Sequence, residues 1–167
     1  MGKFNIEKIE FLNSILCDGL SSVLYREVRE KHGLCYGISA DVDPFFNSKV
    51  INDYNHVSMI TASTEKQNVD KFRKVFERTM KQAQEGMNIL DTDIERAKNA
   101  YESKEIKAEN VASYNHYRLV SWRGVGKSLK RTKKEILKMN NDKIRKMVHD
   151  ILKDSNYNVS VLGKVDK

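Results

Sequence analysis

Ile9, Leu12 and Leu16 recur at helical spacing and Phe11 and Ile15 widen the stripe, so the pattern predicts a helix over Asn5–Leu16 with one face on a core. Asp18-Gly19 interrupts it. A second helix is expected over Ser21–Lys31, with Leu20, Leu24 and Val28 on its buried face and Arg26, Arg29 and Glu30 turned away. Gly33 is placed to close it, because glycine accepts left-handed backbone without steric cost. Leu34–Val42 then reads as a strand, Pro44–Asp53 as a turn or hairpin loop, and Asn55–Ala62 as a second strand. Val69, Phe72, Phe76, Met80 and Ala83 mark a long amphipathic helix that ends near Gly86. Thr92 with Glu95 has capping-box spacing and opens a helix that extends to about Trp122; Thr132 with Glu135 repeats the signal before a short helix. Ile144, Val148, Ile151 and Leu152 line a further helix, and Tyr157, Val159 and Val161 alternate as a closing strand.

Neighbouring strands followed by a run of helices imply an α+β fold: a mainly antiparallel sheet with helices packed on one face. With 167 residues, no internal repeat and no Pro/Ser/Gly-biased linker, residues 1–167 are expected to form a single domain. Hydrophobic residues at 40% and charged residues at 32% suit an ordered globular chain with a heavily solvated surface. No stretch approaches the roughly 18 consecutive apolar residues of a membrane helix, and the first turns carry Lys3, Glu7, Lys8 and Glu10, so neither an anchor nor a signal peptide is expected. Cys17 and Cys35 fit no metal-ligand spacing and are too few for a disulfide scaffold. They read as free thiols of a reducing compartment, which points to the cytoplasm.

The net charge of +7 is concentrated in Arg123–Lys146, where ten Lys/Arg face only Glu135 and Asp142. Such a run serves as a solvated helical face more often than as a nucleic-acid site. Single-strand binding also needs aromatic stacking platforms, and only Trp122 lies beside the cluster, so nucleic acid is not an expected partner.

Periodicity stops at a soluble α+β domain; the segment Leu12–Ala40 goes further. It reads LNSILCDGLSSVLYREVREKHGLCYGISA. This run resembles the second half-domain of the pitrilysin/insulinase family of zinc metallopeptidases (inverzincins), whose pattern is close to LN-x-I-L-G-x-G-x-S-S-x-L-x-x-x-[VL]-R-E-x-x-G-L-x-Y. The likeness continues more loosely through Thr92–Lys98 (TDIERAK) and Val159–Gly163. Two positions depart from the pattern: Cys17 stands where it has glycine, and Val23 where many members carry arginine. Members also have a strand before the first helix, so here the first edge strand is expected to be missing. An uncovered edge invites pairing, and the expected partner is a zinc-bearing half or a second copy of this chain.

The resemblance implies that an arginine and a tyrosine seven positions apart reach across to the zinc-bearing half. Here these are Arg29 and Tyr36. Tyr36 would donate its phenol hydrogen bond to the oxyanion of a tetrahedral intermediate, and Arg29 would hold a substrate carbonyl. Alone, a tyrosine opening a strand is ordinarily a packing residue with a wet hydroxyl, and an arginine near a helix end complements the dipole. The intact surrounding motif puts the functional reading ahead. His32, inside the motif, is a further candidate for the substrate path. Ser21 and Ser22 lack the Gly-x-Ser-x-Gly elbow of a serine nucleophile and read as helix starters.

Hydrolysis in the family requires metal-activated water held by H-x-x-E-H, and the sequence has no such motif: His32, His56, His116 and His149 lie far apart. No cofactor is therefore expected in this chain, and zinc is expected in the partner half. The resulting expectation is a non-catalytic, peptide-clamping half of a zinc metalloendopeptidase, inactive alone. The alternative is a proteolytically inactive structural or assembly subunit of the same fold.

Overall fold

The structure, a computed structural model, describes residues 6–46, 54–109, 134–155 and 157–163. Helix α1 spans Ile6–Leu16 and a short π-type helix spans Tyr25–Glu30. Strands β1 (Ile38–Phe46) and β2 (Tyr54–Ala62) follow, then a 3-10 turn over Lys66–Asn68. Helices α2 (Val69–Gln84), α3 (Asp91–Glu109) and α4 (Asn141–Asp154) complete the order, with a helical turn over 134–137 before α4. The architecture is α+β, as expected. Helix α1 lies at its centre, touching both strands, α3 and α4.

The apolar stripe of α1 forms the middle of the core: Phe11, Leu12, Ile15 and Leu16 are buried with Leu24, Val28, Ile94, Ile144 and Val148. Fully burying each such side chain stabilises the fold by about 1.5 to 3 kcal/mol. Phe11 also meets Tyr101 of α3 edge to face, with ring centroids 5.5 Å apart. On α2 the deepest row is Val75, Thr79 and Ala83, while Phe72, Phe76 and Met80 pack against the core rim. Asn140 caps α4, its side-chain oxygen accepting from the Lys143 N–H (3.0 Å).

β1 and β2 pair antiparallel from Ile38↔Ala62 to Phe46↔Tyr54. Partners opposite one another share a face, so Ile38, Ala40 and Ile60 turn to the core, and Ser58 donates to the Asn13 side chain of α1 (2.8 Å). Ser39, Asp41, Met59 and Thr61 lie exposed on the opposite side, so the helices cover one face of the sheet. Among the described residues, neither outer edge of the pair has a neighbouring strand.

Several expectations need correction. Leu20 belongs to the turn that precedes the second helix and is 69% exposed. That helix widens into π geometry, with the Lys31 N–H donating to the Arg26 carbonyl (3.1 Å). Arg26 is drawn inward because Asp93, buried at the start of α3, offers it a carboxylate. The first strand starts at Ile38 instead of Leu34, since Leu34 and Cys35 are used to pack the crossing from helix to sheet. It runs through Pro44, which an edge strand tolerates. Thr92 sits within α3; the helix opens at Leu90, whose carbonyl accepts from Asp93 and Ile94 N–H and whose own N–H donates to the Asp93 carboxylate (2.9 Å). Tyr157–Val161 is not a strand, because among the described residues no strand lies beside it to supply a ladder. The continuation of α3 toward Trp122, Thr132 and most of the basic run fall outside the described residues. Among the described residues no helix is long and apolar enough to cross a membrane.

Candidate functional site

The motif segment is held by the first turn of α3. Arg26 donates through Nη1 and Nη2 to the two oxygens of Asp93 (2.9 and 3.1 Å) and through Nη2 to the Asn88 carbonyl (3.1 Å). The Asp93 bond pushes the Arg26 guanidinium above its ordinary range. One turn further along α3, Arg96 donates to the carbonyls of Ser14 (3.2 Å), Ile15 (3.1 Å) and Asp18. The last carbonyls of α1, left without helical partners, thereby gain a cationic cap. Burial lowers the Arg96 guanidinium from its ordinary range, with nearby Asp93 and Asp18 opposing that shift. TDIERAK, a minor part of the motif likeness, is thus the clamp that fixes both helices of the motif.

Gly33 sets the direction of the chain that leaves the π helix. Its φ is +61°, its N–H donates to the Arg29 carbonyl (2.8 Å), and Leu34 N–H donates to the Val28 carbonyl (3.1 Å). Two residues later Tyr36 N–H donates to the Ser63 carbonyl (3.2 Å), extending the β1–β2 pairing beyond the strand ends. The Tyr36 ring is 71% exposed, and its hydroxyl reaches Glu65 Oε1 at 3.4 Å. Glu65 in turn accepts from Gln67 (2.8 Å). Tyr36, Gly37, Ile38 and Ser39 line an open cavity of about 360 Å³ together with Thr61, Ala62 and Ser63.

Arg29 is exposed in the last turn of the π helix, its guanidinium 4.9 Å above the Tyr25 ring, a cation–π contact. Its positive charge also acts on Cys35, the residue before Tyr36, and opposes the burial that pushes that thiol up. Arg29 and Tyr36 therefore flank one turn while bonding to different partners. His32 is half-exposed, and its Nε2 lies 3.0 Å from Arg78 Nη2 of α2; a guanidinium can only donate, so Nε2 accepts. The site thus includes Tyr25, Glu65 and Arg78, none of which the motif indicates. Tyr25 lies one helical turn before Arg29, whereas only three-dimensional proximity connects Glu65, which lies after the hairpin, and Arg78, midway along the next helix.

Cys17 is buried and its thiol is pushed up to about 12 by burial, reinforced by Asp18. Cys35 is likewise buried and free. Neither resembles an activated nucleophile. Among the described residues no group of three or more His, Cys, Asp or Glu side chains could hold a metal ion. His149 is committed elsewhere, with Nδ1 2.9 Å from the Gln84 carbonyl at the end of α2. The described residues do not fit a zinc site, and no step assigned to this chain passes through one.

A search of curated protein sequences finds no match. Among solved structures, the chain is similar to the crystal structure of a conserved protein from Enterococcus faecalis V583, with a TM-score of 0.65 and 17% identity. That match covers 86% of this chain and 32% of the other, so the present chain spans about a third of that protein's length; at this identity the likeness is one of fold. The family model described as the peptidase M16 inactive domain matches residues 2–101, which include α1, the π helix, the hairpin, α2 and the Asp93–Arg96 clamp. By that match the chain belongs to the inactive-domain family of M16 peptidases.

Proposed function

We propose that this chain is the substrate-holding half of a zinc metalloendopeptidase, closing over an extended peptide against a zinc-bearing half and lacking hydrolytic activity alone. In this reading Tyr36 donates its phenol hydrogen bond to the peptide carbonyl oxygen as negative charge develops there, and Arg29 holds a neighbouring carbonyl. His32 is the further candidate for contact with the peptide. Support comes chiefly from the state of the Tyr36 hydroxyl: it is exposed beside an open cavity, and its hydrogen bond to Glu65 is long at 3.4 Å. So weak a bond costs little to exchange for a substrate oxygen. The zinc-bearing half would be another subunit or another part of a longer protein.

The test is to mix the chain with an H-x-x-E-H half and follow cleavage of an unfolded peptide. Tyr36→Phe should lower kcat by roughly 100-fold or more, the scale of losing one oxyanion donor. Arg29→Met should act mainly on KM. An undiminished rate for Tyr36→Phe rejects the assigned role. The stacking of Arg29 on Tyr25 favours a second reading, an assembly subunit in which this guanidinium serves structure. A stable complex that contains no zinc subunit would support that reading.

A further inference from the structure

Tyr36 lies just before β1 begins at Ile38, and its ring is 71% exposed, so core packing does little to fix the phenol. Contacts reach it instead from one short stretch directly after β2, Ser63-Thr64-Glu65. The Ser63 carbonyl accepts from the Tyr36 N–H (3.2 Å), and Thr64 Oγ1 donates to the Leu34 carbonyl (2.5 Å), which ties the two backbones together on either side of Cys35. The Glu65 carboxylate then meets the hydroxyl, with Oε1 accepting at 3.4 Å.

Glu65 projects from a fixed base. Its carbonyl accepts from the Asn68 N–H (2.9 Å) at the opening of the 3-10 turn, and Oε2 accepts from the Gln67 side chain (2.8 Å). One carboxylate oxygen is thus braced along the chain while the other meets the phenol. A braced acceptor narrows the arc that an exposed ring can sweep, and order established before binding is an entropic cost the bound state no longer carries. At 3.4 Å the bond is also weak enough to exchange. An ionised carboxylate only accepts, so the proton in this contact is the one a substrate oxygen would take.

We infer that Glu65 is the positioning residue of Tyr36: it holds the phenol in the resting chain and releases it to the peptide oxygen when substrate arrives. Glu65 acts through Tyr36 and touches no reacting atom, so its influence falls on kcat more than on KM. The catalytic consequence rests on the substrate-holding reading proposed above, whereas the hold on the phenol does not.

The test begins with fluorine NMR of the chain carrying ring-fluorinated tyrosine, the Tyr36 signal being identified by its loss in Tyr36→Phe. Glu65→Ala should shift that signal while the other tyrosine signals and Tm stay in place, since Glu65 is exposed. Glu65→Gln keeps an acceptor oxygen and should hold the signal near its parent position. Cleavage of an unfolded peptide, after mixing with an H-x-x-E-H half, is then compared. Glu65→Ala should lower kcat by about 2- to 10-fold, the scale of one modest hydrogen bond, with KM little changed and most of the rate recovered in Glu65→Gln. On a Tyr36→Phe background Glu65→Ala should add nothing, because the group it positions is gone. A Tyr36 signal unmoved by Glu65→Ala overturns the inference. So does a parental rate for Glu65→Ala where Tyr36→Phe is slow, or a Glu65→Ala loss that persists in full on the Tyr36→Phe background. A parental rate for Tyr36→Phe removes the peptidase reading instead, and the fluorine signal still decides whether Glu65 holds the phenol.

Discussion

Replacing Arg26 with Met is expected to be among the most damaging changes to the motif segment, although arginine is ordinarily a surface residue. The Asp93 side chain is only 3% exposed and that of Arg26 21%, and the two bond through both carboxylate oxygens. Without Arg26, the Asp93 carboxylate keeps the bond from the Leu90 N–H (2.9 Å). A buried charge stripped of its partner costs about 3 to 5 kcal/mol. For a chain of this size each kcal/mol moves Tm by about 2 to 4 °C, so Arg26→Met should lower Tm by roughly 6 to 20 °C. Asp93→Leu should cost a comparable amount, because Arg26 and the partly buried Arg96 share this counter-charge. The double variant removes both buried charges of the pair and should be clearly more stable than the sum of the single losses allows. Urea unfolding of the parent, both singles and the double gives the coupling directly. Additivity within about 0.3 to 0.5 kcal/mol would mean that the two groups do not act as a pair and would refute the clamp.

Gly33→Ala should destabilise by about 1 to 2 kcal/mol through its positive φ alone, since no atom lies within 4 Å of the added Cβ; Gly37→Ala, free of that conformation, is the control in the same unfolding experiment. Arg96→Met leaves the carbonyls of Ser14, Ile15 and Asp18 without their cap and should cost about 1 to 3 kcal/mol, read from the urea midpoint. The Cys17 thiol is held near 12 in the folded chain against an ordinary value of 9.0, so the unfolded chain loses this proton first as pH rises. Its contribution to stability is complete below pH 9 and should decline between pH 9 and 12 by up to about 1.4 kcal/mol per unit. Cys17→Ala should flatten that part of the pH profile, and an unchanged alkaline slope would contradict the burial of the thiol.

Where local periodicity carried the information, the chain could be read directly. The stripe of α1 and the row of α4 follow from side-chain spacing, because each helix buries one face regardless of what covers it, whereas on α2 the expected Phe72, Phe76 and Met80 only rim the core and Val75 and Thr79 go deeper. Gly33 was legible for the same local reason, a backbone angle that few other residues adopt. Arg29, His32 and Tyr36 could be named from their motif. Their long-range partners could not, because Glu65 reaches Tyr36 and Arg78 reaches His32 across the fold. Tyr157–Val161 shows the limit from the other side: alternation makes a segment competent to pair, while a ladder requires a neighbour that sequence spacing does not supply.

By itself, then, the sequence determined the helical faces, the hairpin, the turn at Gly33 and the likeness to an M16 half-domain, all of them consequences of neighbours along the chain. Tertiary structure decided that Arg26 turns inward to Asp93, that Arg96 caps α1, that the Tyr36 phenol stands exposed beside Glu65, and that among the described residues no strand lies beside 157–163. The reason is one of range. Backbone propensity and side-chain periodicity act over a few residues, whereas burial of a charge or completion of a sheet depends on what distant parts of the chain bring to the same place.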